Sequence, residues 1–136
     1  MTIKELVALA LAEDLGDGDH TSLATVPYEA SGEAIMYAKQ DGVLSGMNVA
    51  KEVFNQVDAE LDVDILMQDG SKITFGDKVM VVKGRSQSIL SAERTALNFV
   101  QRMSGIASFT NEVVGKIDGL HTKLLDTRKT TPVNRL

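Results

Sequence analysis

The sequence predicts an α+β domain in which helices pack on an antiparallel sheet. Three observations carry this. A capped amphipathic segment opens the chain, short apolar runs split by Asp-Gly turns fill its middle, and a long run with helical spacing follows from Ser88. The 136 residues are 43% apolar and 24% charged, the balance of a folded domain large enough to bury a core without staples. There is no cysteine, which excludes a disulfide framework, a thiolate metal site and a cysteine nucleophile. No apolar run approaches the roughly 18 residues of a membrane span. The start, Met1-Thr2-Ile3-Lys4-Glu5, lacks the pattern of a signal peptide, so a cytoplasmic protein is expected.

Thr2 followed by Glu5 forms a capping box. Ile3, Leu6, Val7, Leu9 and Ala10 then recur at helical spacing up to Gly16, which predicts a helix over Thr2 to Leu15. Gly16-Asp17-Gly18-Asp19-His20-Thr21-Ser22 reads as a structural turn; its acids, with Asp14, do not match the spacing of a calcium loop. Ala34–Ala38 and Val43–Ser45 read as strands around an Asp41-Gly42 turn. Val49, Ala50, Val53, Phe54 and Val57 share one face of a helix over Gly46 to Val57. Leu61-Asp62-Val63-Asp64-Ile65 alternates apolar and acidic residues as a half-exposed strand, and Val79–Val82 is a further strand.

The region from Ser88 to Met103 is the strongest helix. Ile89, Ala96, Val100 and Met103 form its apolar stripe, with Leu90 and Leu97 beside it. A second stripe, Arg94, Asn98, Gln101 and Gly105, is polar, carries a fixed cation and ends in a residue that permits close approach; a solvated helix back would read the same way. Helix resumes from Ser108 to Lys116. Lys123–Asp126 reads as a short strand running into Thr127-Arg128-Lys129-Thr130-Thr131-Pro132; a strand end of that composition suits a dicarboxylate, and a basic, merely solubilising chain end would read the same way.

Net charge is −5, which argues against nucleic acid as a partner. Residues 1–82 hold 5 basic and 15 acidic residues, whereas residues 83–136 hold 9 basic and 4 acidic ones. Two accounts fit this split: solvated faces that differ, or cations gathered for an anionic small molecule. No Rossmann glycine pattern, P-loop, zincin helix or nucleophile elbow is present. Asp69-Gly70 with Gly76-Asp77-Lys78-Val79 faintly resembles a lipoyl or biotinyl carrier, but Lys78 stands at a strand entrance and not at a hairpin tip.

Two long stretches carry a more specific likeness. Ser91-Ala92-Glu93-Arg94-Thr95-Ala96-Leu97-Asn98-Phe99-Val100-Gln101-Arg102-Met103-Ser104-Gly105-Ile106-Ala107 resembles the signature helix of the quinolinate phosphoribosyltransferases, also called carboxylating nicotinate-nucleotide pyrophosphorylases. Leu125-Asp126-Thr127-Arg128-Lys129-Thr130-Thr131-Pro132 resembles the same family's substrate-binding strand end, and Glu13–Ser22 its N-terminal motif. The resemblance implies an α/β sandwich of helices on an antiparallel sheet over residues 1–117, then the first strand of an incomplete α/β barrel over residues 118–136. It implies phosphoribosyl transfer from phosphoribosyl pyrophosphate to quinolinate, with magnesium, and decarboxylation to nicotinate mononucleotide for NAD synthesis. It also implies a homodimer in which Arg94 reaches the partner's quinolinate while Thr127, Arg128 and Lys129 hold carboxylates in their own subunit.

Departures accompany the likeness. The family's further barrel strands, with a His-Arg pair, another lysine and acidic groups for ribose and metal, have no counterpart here, so neither a catalytic residue nor a metal ligand is expected in this chain. After Pro132 the run Val133-Asn134-Arg135-Leu136 replaces the family's Gly-Leu-Arg. The expectation is a truncated member, folded but inactive alone. A non-catalytic dimerisation module and a molybdenum-transport relative of the same superfamily are the competing readings.

Overall fold

The computed structural model describes residues 1–131; the Val133–Leu136 tail lies outside the described residues. Helix α1 (Ile3–Leu15) opens on Thr2, whose side chain accepts the Glu5 N–H while the Glu5 carboxylate accepts the Thr2 N–H at 2.7 Å. Both arms of the capping box are made, and the Thr2 amide, then its hydroxyl, hold the Glu5 carboxyl below its ordinary pKa. The turn expected over 16–22 is a correction: helix α2 (His20–Thr25) begins inside it, capped by Asp19. Six residues without an apolar stripe give no periodic signal, so only the cap could have announced this helix.

Strand β1 (Ser31–Tyr37) leads to β2 (Gly42–Val43), α3 (Met47–Val57), β3 (Asp62–Ile65), β4 (Lys72–Ile73), β5 (Lys78–Arg85) and α4 (Ser86–Lys116). The main sheet is antiparallel in the order β1-β5-β3, and β2 pairs separately with β4. The hairpin expected around Asp41-Gly42 therefore does not form. β1 takes β5 as its partner, in a register that sets Met36 opposite Met80 and Glu33 opposite Lys83. This long-range choice follows burial: Met80 and Val82 turn inward beside Val63, while Asp62, Asp64 and Lys83 face out.

Helices α3 and α4 cover the inner face, and α1 packs against both. Ala50, Ala92 and Ala96 are fully buried between helices together with Val53, so the small side chains let the two backbones approach closely. Helix α4 is continuous where a break was expected after Met103. Ser104 and Ser108 explain the polar interruption, for they lie one turn apart and serve β2. Ser104 Oγ accepts the Ser45 N–H at 2.9 Å and donates to its carbonyl at 3.1 Å, and Ser108 Oγ accepts the Val43 N–H at 2.8 Å. Leu44 turns the other way, its N–H donating to the Ser71 carbonyl. The two serines thus replace a neighbouring strand along that edge of β2. Gly42 lies beneath Ser108, where a Cβ would collide with the hydroxyl.

The strand expected at Lys123–Asp126 is absent; residues 121–131 are exposed and carry no regular element. Lone strands do not persist without a partner to take their amides. No helix among the described residues is long and apolar enough to cross a membrane.

Candidate functional site

The polar stripe of α4 faces outward, and its cation is held by a carboxylate of α1. Asp14, in the last turn of α1, accepts the Arg94 Nε–H at 2.6 Å through Oδ1 and the Thr95 hydroxyl at 3.2 Å through Oδ2. Thr95 is buried, so this carboxylate bridges the core-facing and outward-facing sides of one helical turn. Asp19 lies nearby. Its carboxylate accepts the Ser22 N–H at 3.2 Å and the Ser22 hydroxyl at 2.5 Å, and reaches the Ser91 hydroxyl at 3.5 Å. The Ser22 hydroxyl, then the Ser22 amide, hold the Asp19 carboxyl below its usual pKa against a small opposing effect of burial. The Asp14 hydrogen bond and charge raise the Arg94 pKa further, with Asp19 adding to the effect, so the guanidinium is a permanent cation.

The Arg94 side chain stays 67% exposed, and among the described residues no acceptor reaches its Nη atoms. It lines an open cleft of about 370 Å³ with Asp19, Ser91, Asn98 and Gln101. Gln101 also borders a second cleft of about 600 Å³ between α4 and the β1–β2 segment, lined by Tyr37, Lys39, Leu97 and Gly105. Gly105 faces open space, with no described atom beyond its own turn of α4 within 4 Å of where a Cβ would be. Leu90, beside the apolar stripe, is exposed.

Thr127, Arg128 and Lys129 are exposed in the segment after α4. The Thr127 hydroxyl accepts the Lys129 N–H at 3.1 Å, and Arg102 of α4 donates through Nη2 to Thr131 at 2.9 Å, tying the segment back to the helix. Arg94 is paired with Asp14 and feels the charge of Asp19. Sequence reasoning missed Asp14 and Asp19 as partners of α4 because they lie 80 and 72 residues from the groups they hold. The one available signal was the match of Glu13–Ser22 to a family motif. Among the described residues no group of three or more histidine or carboxylate side chains could hold a metal ion.

The fold and surface define a class: a helix-and-sheet domain that presents a clamped arginine on an exposed helix. Residues 19–104 match the family model for the N-terminal domain of quinolinate phosphoribosyl transferase, and the chain belongs to that family. It is 43% identical, over 98% of its length, to a protein of Nicotiana tabacum named quinolinate phosphoribosyltransferase [decarboxylating] 2b, mitochondrial, and covers 38% of that relative. It is 37% identical to the probable nicotinate-nucleotide pyrophosphorylase [carboxylating] of Bacillus subtilis, over its whole length and 47% of that protein. The crystal structure of NadC from Streptococcus pyogenes superposes with a TM-score of 0.92 at 38% identity, covering 96% of this chain and 47% of that one. The chain thus spans less than half the length of these relatives.

Proposed function

We propose that this chain supplies the N-terminal part of a phosphoribosyltransferase that converts quinolinate and phosphoribosyl pyrophosphate to nicotinate mononucleotide for NAD synthesis. In this reading residues 1–117 form the sandwich domain and residues 118 onward begin a barrel, as part of a cytoplasmic homodimer. Arg94 faces the partner subunit's quinolinate, and Thr127, Arg128 and Lys129 serve quinolinate carboxylates in their own subunit. Magnesium would arrive with the pyrophosphate, its ligands lying outside the described residues.

The observation that carries the reading is the exposed, permanently charged Arg94 on the helix that bears the family motif. A guanidinium offers a planar pair of donors that matches a carboxylate, and cations offset the desolvation of a dianion in a closed pocket. The chemistry that follows transfer suits such a pocket. Once the ring nitrogen carries the ribosyl group it is cationic and accepts the electron pair released as the C–CO₂ bond breaks. A protonation at that carbon then completes nicotinate mononucleotide.

The test continues residues 1–131 with the remaining barrel of the Bacillus subtilis relative and measures steady-state kinetics. Arg94→Lys should raise the quinolinate KM by about tenfold or more and leave the KM for phosphoribosyl pyrophosphate unchanged, because a point charge cannot replace the fork. Unchanged quinolinate kinetics would place Arg94 outside the site. A second reading, a dimerisation module without chemistry, is favoured by the exposed Ile106 and Phe109 on α4. It predicts self-association together with indifference to Arg94.

A further inference from the structure

The acidic partner of Arg94 needs its own explanation, because an acid beside a ligand for a dianion works against the ligand by charge alone. Asp14 takes the Nε of Arg94 and no other atom of that guanidinium. The Nη1–Nη2 edge is left as the pair of parallel donors available for an incoming carboxylate. The second oxygen of Asp14 is fixed by Thr95, whose side chain is 4% exposed, and the residue itself is anchored on the last turn of α1. Ser91, one turn before Arg94 counted along α4, is in reach of Asp19, which itself caps α2. An exposed arginine ordinarily samples many rotamers; this one is gripped at the root of its fork by a carboxylate that cannot swing away.

We propose that Asp14 is a positioning residue, which orients Arg94 so that its terminal edge is presented to a carboxylate of the substrate. The inference rests on the reading of Arg94 as a quinolinate ligand. It goes beyond that reading in assigning the N-terminal helix a part in recognition. Its energetic logic is preorganisation: the ordering of a long side chain is completed in folding, so binding does not have to supply it.

Two measurements test it. In the 136-residue chain itself, the Arg94 Nε–H resonance should exchange slowly with water and show hindered guanidinium rotation. Asp14→Ala should bring both to the values of a free arginine, and Asp14→Asn, which keeps one acceptor oxygen, should fall between. An Arg94 resonance unchanged by Asp14→Ala would overturn the clamp. In the barrel-bearing protein described above, Asp14→Ala should raise the quinolinate KM about tenfold with kcat nearly kept, and Asp14→Asn should recover much of the loss. Simple charge repulsion predicts the opposite sign, a lower KM when the negative charge is removed, and that result would sink the proposal. A structural role alone would lower the Tm and leave the KM unmoved, which also refutes it. The supporting reading fails separately: if Arg94→Lys leaves quinolinate kinetics intact, Arg94 is not the ligand, whatever Asp14 does to its resonance.

Discussion

The two halves of α4 are built from one unbroken helix and live in different surroundings. Between Ser86 and Val100 seven residues are buried, among them Ile89, Ala92, Thr95, Ala96 and Val100, and both α1 and α3 lean on them. Beyond Val100 no residue of the helix is buried, and Ile106, Phe109 and Val114 expose large apolar surfaces. Local propensity makes the whole helix, burial stabilises its first half, and beyond Val100 its hold on the rest of the fold rests mainly on the hydrogen bonds of Ser104 and Ser108 to the Val43–Ser45 segment. The Arg94 clamp falls in the anchored half, so this cation stands on the packed part, while the second half presents apolar surface of the kind interfaces use.

Substitutions on opposite sides of Val100 test this contrast. The largest effect is expected for Ile89→Ala, where deleting a buried side chain against the sheet and α3 should cost about 2–4 kcal/mol in urea unfolding. Phe109→Ala, at a side chain 68% exposed, should stay within about 0.5 kcal/mol of the parent monomer. A large cost at Phe109 would show that the second half is packed in solution, and light scattering would show against what.

The next effect down concerns the entry to α4. The Ser88 hydroxyl donates to the Asp58 carboxylate at 2.6 Å and the Glu60 N–H donates to it at 3.0 Å. These bonds, the Ser88 hydroxyl foremost, hold the Asp58 carboxyl below its usual pKa, with burial opposing and Arg85 assisting. A lowered carboxylate pKa contributes stability that is complete above the unfolded value and drains away as pH falls through the folded one. The loss therefore lies below about pH 4. Asp58→Ala should cost about 2 kcal/mol at neutral pH and flatten the fall of Tm between pH 4 and 2. A parallel displacement of the whole curve would contradict this assignment.

Smaller still is Ser104→Ala, which leaves the Ser45 N–H without its acceptor and should cost about 1–2 kcal/mol. Because Ser104 ties the part of α4 past the anchored half to the segment after β2, hydrogen exchange in this variant should accelerate from Ser104 onward and leave Ile89–Val100 protected. Uniform acceleration along α4 would show that the helix is one cooperative unit.

Much of this arrangement was legible from spacing. The capping box of α1, the face of α3 and the alternation of β3 are local patterns, and the structure places them within a residue or two of expectation. What escaped was pairing. Asp41-Gly42 has the chemistry of a hairpin turn, yet β1 joins β5 because only that partner puts Met36 and Met80 on the same buried face. The serines of α4 look like a break in a helix until β2 is seen to need donors and acceptors on its outer edge. For the candidate site, Arg94 was visible as a polar stripe and through the family motif. Its partner Asp14 was not, since an ion pair across 80 residues leaves no local trace. Thr127, Arg128 and Lys129 were legible as a motif only; the strand expected to present them needs neighbours that the described residues do not include.

The central proposal is that this chain folds on its own and carries substrate-binding groups without the catalytic ones. Its most direct test is turnover: incubate the purified 136-residue protein with quinolinate, phosphoribosyl pyrophosphate and magnesium, follow nicotinate mononucleotide, and record thermal unfolding of the same sample. The account predicts a cooperative transition and no product. Product formed above the uncatalysed rate would contradict it, because the groups assigned to the barrel would then be dispensable.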